Sequence, residues 1–292
     1  MKQIRFIFLL IGVCLLLFSF SGLAQNITKK KEGKLFIMGG GTRPAALINR
    51  MIEEAGLRNN GYAFILPMAS TEVDSAIQYS IKQLRDNGIT KVSSIRVVPE
   101  KPLRPSLLDS LENAALIYIP GGDQNLFMQA IETSGIAESI RKSYRNGNLI
   151  AGTSAGAALM SEHMITGVEK KYNTETSANN HSEFSTIEAM NIELKPGLAL
   201  LRKSIIDQHF IARKRLNRLI SLAIENPDLF CVGIDEATAL LVKGNSAEVL
   251  GLSQVITFRN AAKTSRSQTG RLGAKRIKMS IYLPGQTFKL PH

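Results

Sequence analysis

"NLIAGTSAGAALM", residues 148–160, runs from an apolar stretch into a turn of small residues, Gly152-Thr153-Ser154-Ala155-Gly156, and out into a second apolar stretch. A short buried run that ends in glycine and reopens as a helical segment is half of a βαβ unit. The same alternation recurs on the N-terminal side. "KLFIMGGG" (34–41) reads as the first strand and is followed by a helix opening at Pro44. "AFILPMA" (63–69) reads as a buried strand, the stretch from about Asp74 to Asn87 as a helix, and "VSSIRVV" (92–98) and "AALIYIPGGDQ" (114–124) as further strands. This order predicts an α/β fold with a doubly wound, largely parallel, flavodoxin-like sheet. After Asn245 the texture changes to "AEVLGL", "QVITF" and "KMSIYLPG", short alternating runs that predict a C-terminal antiparallel extension from about residue 245. There is no internal repeat, and the polar stretch Tyr172–Ser185 reads as a surface loop.

The chain has 292 residues, 44% hydrophobic and 21% charged, a composition that can bury a core and excludes a disordered polymer. Its first 24 residues stand apart. Lys2 and Arg5 precede an apolar run from Phe6 to Phe20, and Gly22 and Ala24 follow, which is the pattern of a secretory signal peptide cut after Ala24. That run is shorter than the roughly 20 residues that span a bilayer, so no membrane span is expected after cleavage. The expected organisation is a signal peptide over 1–24, a linker over 25–33 and one α/β domain over 34–292, exported to a periplasm or secreted. Cleavage would leave Cys231, in "LFCVGI", as the only cysteine, which excludes an internal disulfide and reads as a core thiol. The net charge is +12, and residues 259–278 hold seven basic residues and no acid. Without interleaved aromatic residues for base stacking, that run reads as a solvated basic loop and no nucleic acid is expected.

In open α/β sheets the ligand crevice lies beyond the carboxyl ends of the strands. Three glycine turns fall there: Gly39–Gly41, Gly121–Gln124 and the turn that carries Ser154. A serine hydroxyl becomes a nucleophile when a base takes its proton, and a strand-turn-helix elbow exposes it in a strained conformation that tolerates only small neighbours. The N–H of Ala155 would face an oxyanion, helped by the N-terminus of the following helix. Four histidines are candidates for the base. His163 would lie about 13 Å beyond Ser154 along a continued helix, His292 is C-terminal, and His181 is in the polar loop. His209 follows the apolar Ile205–Ile206 run just before an amphipathic helix, at another strand end. The orienting carboxylate would come from Asp235 or Glu236, at the end of a further apolar strand. Alternation points them to opposite faces, so one faces the site and the other serves as a turn or cap acid.

"GTSAGAALMS" (152–161), "GGDQ" (121–124), "DQHFIARKRLNRL" (207–219) and "GIDEATALLV" (233–242) together resemble the cyanophycinase family of serine peptidases, relatives of aspartyl dipeptidases on a class I glutamine-amidotransferase-like scaffold. The resemblance runs from about Lys34 to Leu252. It implies Ser154 as nucleophile, His209 as general base and acid, and Glu236 as the orienting carboxylate. It also implies a second oxyanion N–H from the turn at Gly122 and Asp123. Gln124, Asp207, Gln208, Arg213, Arg215 and Arg218 resemble substrate contacts, and a guanidinium fork suits a substrate carboxylate. Arg213 and Arg218 are not on quite the same helix face, so at most two of these arginines would reach one group. The implied substrate is a peptide or polymer rich in aspartyl bonds, with cyanophycin cut to β-Asp-Arg dipeptides as the leading expectation and α-aspartyl or isoaspartyl dipeptides as the alternative. No metal or organic cofactor is implied, and the homodimer common among relatives is an expectation by analogy. The stretch "NTETSANNHSEF" (173–184) sits where a lid or specificity loop would lie. A glutaminase is disfavoured, because that chemistry uses a cysteine at the elbow. A non-catalytic protein that binds an anionic polymer is the reading from another class.

Overall fold

The computed structural model describes residues 33–97, 103–172 and 184–291. The leader, His181, His292 and nearly all of the stretch 172–185 lie outside the described residues. Strands β1 (Lys34–Met38), β2 (Ala63–Ile65), β3 (Val92–Ser94), β4 (Leu116–Ile119) and β5 (Leu149–Thr153) are all parallel and lie in the order β1-β5-β4-β2-β3. After them come an antiparallel pair, β6 (His163–Glu169) and β7 (Ile192–Pro196), and a parallel pair, β8 (Ser204–Gln208) and β9 (Phe230–Ile234). The chain then crosses back. β10 (Thr238–Lys243) pairs antiparallel with β1, and β11 (Ser246–Gly251) with β10. β12 (Val255–Arg266) and β13 (Leu272–Tyr282) join β9 in a second sheet ordered β13-β12-β9-β8, and β14 (Thr287–Lys289) closes the first sheet beside β11.

The central strands are buried on both faces, so they read as continuous apolar runs rather than as alternation. Successive residues nevertheless divide between two cores. Leu35 and Ile37 face α3 (Pro105–Glu112), α4 (Gln124–Ile131), α5 (Ile136–Arg145) and α6 (Ala155–Ala158), whereas Phe36 and Met38 face α1 (Ala45–Ala55) and α2 (Val73–Asp86). That is the doubly wound arrangement the alternation predicts. A third core packs Leu219 and Leu222 of α7 (Leu216–Glu225) against Cys231 and Phe258 of the second sheet. Among the described residues no helix is long and apolar enough to cross a membrane.

Two strands are shorter than their apolar runs. The run 63–69 stops pairing as a strand at Ile65 because Pro67 has no N–H to donate. β3 is the sheet edge and pairs only over the length of β2. The segment 259–278 corrects an expectation: most of it is β-ribbon rather than solvated loop. Its pairing through Arg259↔Lys278, Ala262↔Arg276 and Thr264↔Ala274 needs only backbone hydrogen bonds. Apolar periodicity therefore did not mark it.

Candidate active site

The two sheets meet at the carboxyl ends of β1, β5, β8 and β9. The N–H of His209 donates to the Gly39 carbonyl at 2.7 Å, and that of Ser154 donates to Met38 at 3.1 Å, so both residues are tied to the end of β1. Ser154 has φ 54° and ψ −112°, a conformation that costs an L-residue about 1–3 kcal/mol and is held by its surroundings. The small neighbours explain the turn. A Cβ on Gly152 would lie 2.2 Å from the Gly156 carbonyl, and one on Gly156 would lie 2.2 Å from the Ile119 carbonyl. The turn can close only because strand, helix and the neighbouring β4 touch backbone to backbone. The following helix is a single turn, Ala155–Ala158, so its dipole adds less than the sequence suggests, and His163 opens β6 rather than continuing a helix.

Ser154 Oγ lies 2.8 Å from His209 Nε2, and His209 Nδ1 lies 2.5 Å from Glu236 Oε1. A carboxylate only accepts, so Nδ1 carries the imidazole proton and Nε2 is left to accept from the serine hydroxyl. Room for this relay comes from Gly40 and Gly41. A Cβ on Gly40 would fall 2.3 Å from the His209 ring, and one on Gly41 would fall 2.6 Å from Glu236 Oε2. Both glycines have positive φ, and the sequence marked them only as a strand-ending turn. Burial pushes the His209 pKa below its ordinary value; the Glu236 hydrogen bond opposes that shift, and the charges of Arg213 and Arg215 reinforce it. Asp235 points away from the relay. It accepts from the N–H groups of Ile211 and Ala212 and from the Ser253 hydroxyl, fixing the turn that follows His209.

Gly121 packs against Ser154, with 3.3 Å between a Cβ built on Gly121 and that of the serine. The N–H groups of Gly122 and Ala155 donate to no other group among the described residues, so both remain available to an oxyanion. Asp123 does not fit that role. Its N–H donates to the Ala69 carbonyl at 2.7 Å and its carboxylate caps α4 through Asn125.

The expected substrate contacts divide in the same way. Asp207 and Arg218 are 1% and 2% exposed and form a bidentate pair, with Arg218 Nε donating to Oδ2 at 2.7 Å, so they hold β8 to α7 rather than face a ligand. Arg215 donates to the Gln208 carbonyl at 2.7 Å and to its side-chain amide; burial and the neighbouring arginines push its pKa down to about 10. Gln124 spends its amide N–H groups on the Ile165 and Thr166 carbonyls, both at 2.7 Å. Arg213 alone of the six is half-buried with no hydrogen bond or ion pair to its guanidinium among the described residues. It precedes α7, so the helix-face argument applies only to Arg218. Among the described residues no three His, Cys, Asp or Glu side chains converge as a metal site.

Residues 35–250 match the model of peptidase family S51. The chain is 32% identical over 241 residues to a cyanophycinase of Nostoc sp., covering 80% of this chain and 76% of that one. It is 29% identical over 236 residues to a cyanophycinase of Synechococcus elongatus, covering 77% and 69%. Among solved structures, a peptidase from an acI-B1 actinobacterium superposes with a TM-score of 0.63 at 19% identity, covering 89% of this chain and 98% of that one, a likeness of fold.

Proposed function

We propose, from the premise that this chain belongs to peptidase family S51 and is a serine-type hydrolase, that it is exported and cleaves aspartyl peptide bonds through Ser154, His209 and Glu236. The observation that carries the reading is the pair of hydrogen bonds, 2.8 and 2.5 Å, that joins those three side chains beside two unengaged N–H groups. Ser154 Oγ attacks the carbonyl carbon as its proton passes to His209 Nε2, and Glu236 stabilises the imidazolium. The oxyanion accepts from Gly122 and Ala155. Collapse breaks the C–N bond, and His209 gives its proton to the leaving amine. Water then loses a proton to His209 and attacks the ester, and Ser154 regains its hydrogen. Arg213 is the group free to take a substrate carboxylate.

The relatives named cyanophycinase support the choice of substrate. We take it to be cyanophycin, a polyaspartate whose β-carboxylates carry arginine, with β-Asp-Arg as product. An exported enzyme would meet this polymer after its release by other cells, and we carry the homodimer as part of the proposal. Residues 25–292, beside a Ser154→Ala variant, are incubated with cyanophycin and with α- and β-linked aspartyl peptides, and the products are read by mass. Release of β-Asp-Arg by the wild type, reduced by at least about 10³-fold in the variant, is expected. Cleavage of the short peptides alone would make the protein a dipeptidase. Polymer binding without hydrolysis would make it a binding protein.

A further inference from the structure

Three buried polar atoms without a hydrogen-bond partner among the described residues lie at or just beyond the carboxyl ends of neighbouring strands: Arg43 Nε, Tyr118 Oη and Thr153 Oγ1. They share one side of the sheet. Tyr118 stands opposite Ala151 in the β4–β5 pairing, and both belong to the core under α1 and α2. Thr153, two residues beyond Ala151, points the same way and immediately precedes Ser154. Arg43 enters from the turn after β1, two residues past Gly41, which touches Glu236. Its guanidinium lies over the Tyr79 ring at 4.9 Å, and its charge is felt by the Tyr118 phenol. A cavity of about 350 Å³ opens beside it, between α1 and α2.

Among the described residues Arg43 has no ion pair. Asp86, the acid that lines the cavity, is engaged by Lys82 at 2.6 Å. Arg43 is half-buried, and its Nε is shut off from water without a hydrogen-bond partner among the described residues, a cost that an anion bound to the guanidinium would offset. The fork geometry of arginine suits a carboxylate, and the Tyr79 ring fixes the plane of that fork.

We infer that Arg43, held on Tyr79 just past the Gly40–Gly41 turn, is a carboxylate subsite distinct from Arg213, so that the enzyme grips its substrate through two separate carboxylates. The inference rests on the aspartyl-peptidase reading and deepens it: a chain with repeated carboxylates can satisfy both arginines, whereas a substrate with one cannot. The test uses (β-Asp-Arg) oligomers whose arginine carboxylates are either free or amidated. Arg43→Met keeps the stem and removes the charge. It should raise KM about ten-fold on the free-acid oligomer, with a smaller change in kcat, and leave the amidated oligomer as in the wild type. Arg43→Lys should lie between. Equal effects on the two oligomers, or no effect, would overturn the subsite, provided both variants unfold at the wild-type temperature. The two proposals fail separately. If the wild type cleaves neither oligomer, the substrate reading falls, and the subsite is judged by calorimetric binding of N-acetylaspartate to the full chain. Binding about ten-fold weaker in Arg43→Met then supports the subsite, and equal or undetectable binding overturns it.

Discussion

His209 sits between influences of opposite sign, and the balance can be read from the pH dependence of turnover. Burial and the charges of Arg213 and Arg215 favour the neutral ring, whereas Glu236 favours the cation. A general base must be neutral, so activity is lost as pH falls through its pKa, and the acid limb of kcat/KM should lie below the ordinary imidazole value of 6.5. Arg213→Met removes a cation and should move that limb to higher pH, with a rise in KM if Arg213 also holds substrate. Glu236→Gln removes the opposing carboxylate and should move the limb further down, with kcat lower by about 10²–10⁴ because the ring is no longer held in the right tautomer. Limbs that move together in the two variants would show that the titrating group is not His209. Gly40→Ala tests the cradle itself. Its Cβ would meet the ring at 2.3 Å, and its φ of 105° is one that L-residues rarely adopt, so kcat should fall and the unfolding temperature should drop with it.

At the level of elements, three glycine turns and two apolar strands ending in polar residues mark the strand ends that come together at the candidate site, because a strand end is punctuated by residues whose backbone freedom is visible in the alphabet. Burial is not visible in this way. Asp207, Arg215 and Arg218 are expected at the substrate through the family resemblance, which follows residue type and order along the chain. In the fold, the β8–α7 connection turns Asp207 and Arg218 inward, where they tie a strand to a helix. Asp235 and Glu236 show the same limit: alternation separates their faces, but only the crossover from β9 to β10 decides which one meets the imidazole. The structural role of the buried pair predicts a stability signature. Arg218→Met leaves the buried Asp207 carboxylate only the Gln208 N–H at 2.7 Å and Arg215 at 3.6 Å, and should cost about 3 kcal/mol in urea unfolding. Replacing both residues, as Arg218→Met with Asp207→Leu, should recover much of that loss. If Arg218→Met instead kept wild-type stability and only raised KM, the pair would belong to the substrate site after all. Gly156→Ala acts on a different joint, the contact of α6 with β4. It should destabilise by about 1–3 kcal/mol and lower kcat by shifting the serine.

For the molecule as a whole, the net charge is +12, and seven basic residues with no acid lie in the segment 259–278. β13 is the edge of the second sheet, and Lys275, Arg276 and Lys278 along it oppose pairing with another copy. This is also why the basic segment misled a reading by composition: cations that guard an edge strand look, in sequence, like cations on a loop. Stability has to come from the three cores, since the chain has two cysteines, one of them in the proposed leader. Cys231 is fully buried, and its thiol is pushed up to about 12 by burial, with the nearby Asp207 charge adding to the shift. A thiol in that state is neither nucleophilic nor open to exchange in an oxidising compartment. If the leader is cut after Ala24, the protein recovered from a periplasm or medium begins at Gln25 and holds one thiol. A disulfide reagent should then find no fast-reacting group in the native protein and one equivalent after denaturation, and the unfolding temperature should be the same with and without reductant. Two equivalents after denaturation would mean that Cys14, and with it the leader, is retained. Rapid reaction of the native protein would mean that the core around Cys231 opens far more readily than its packing implies, because the buried thiol reacts only through such openings.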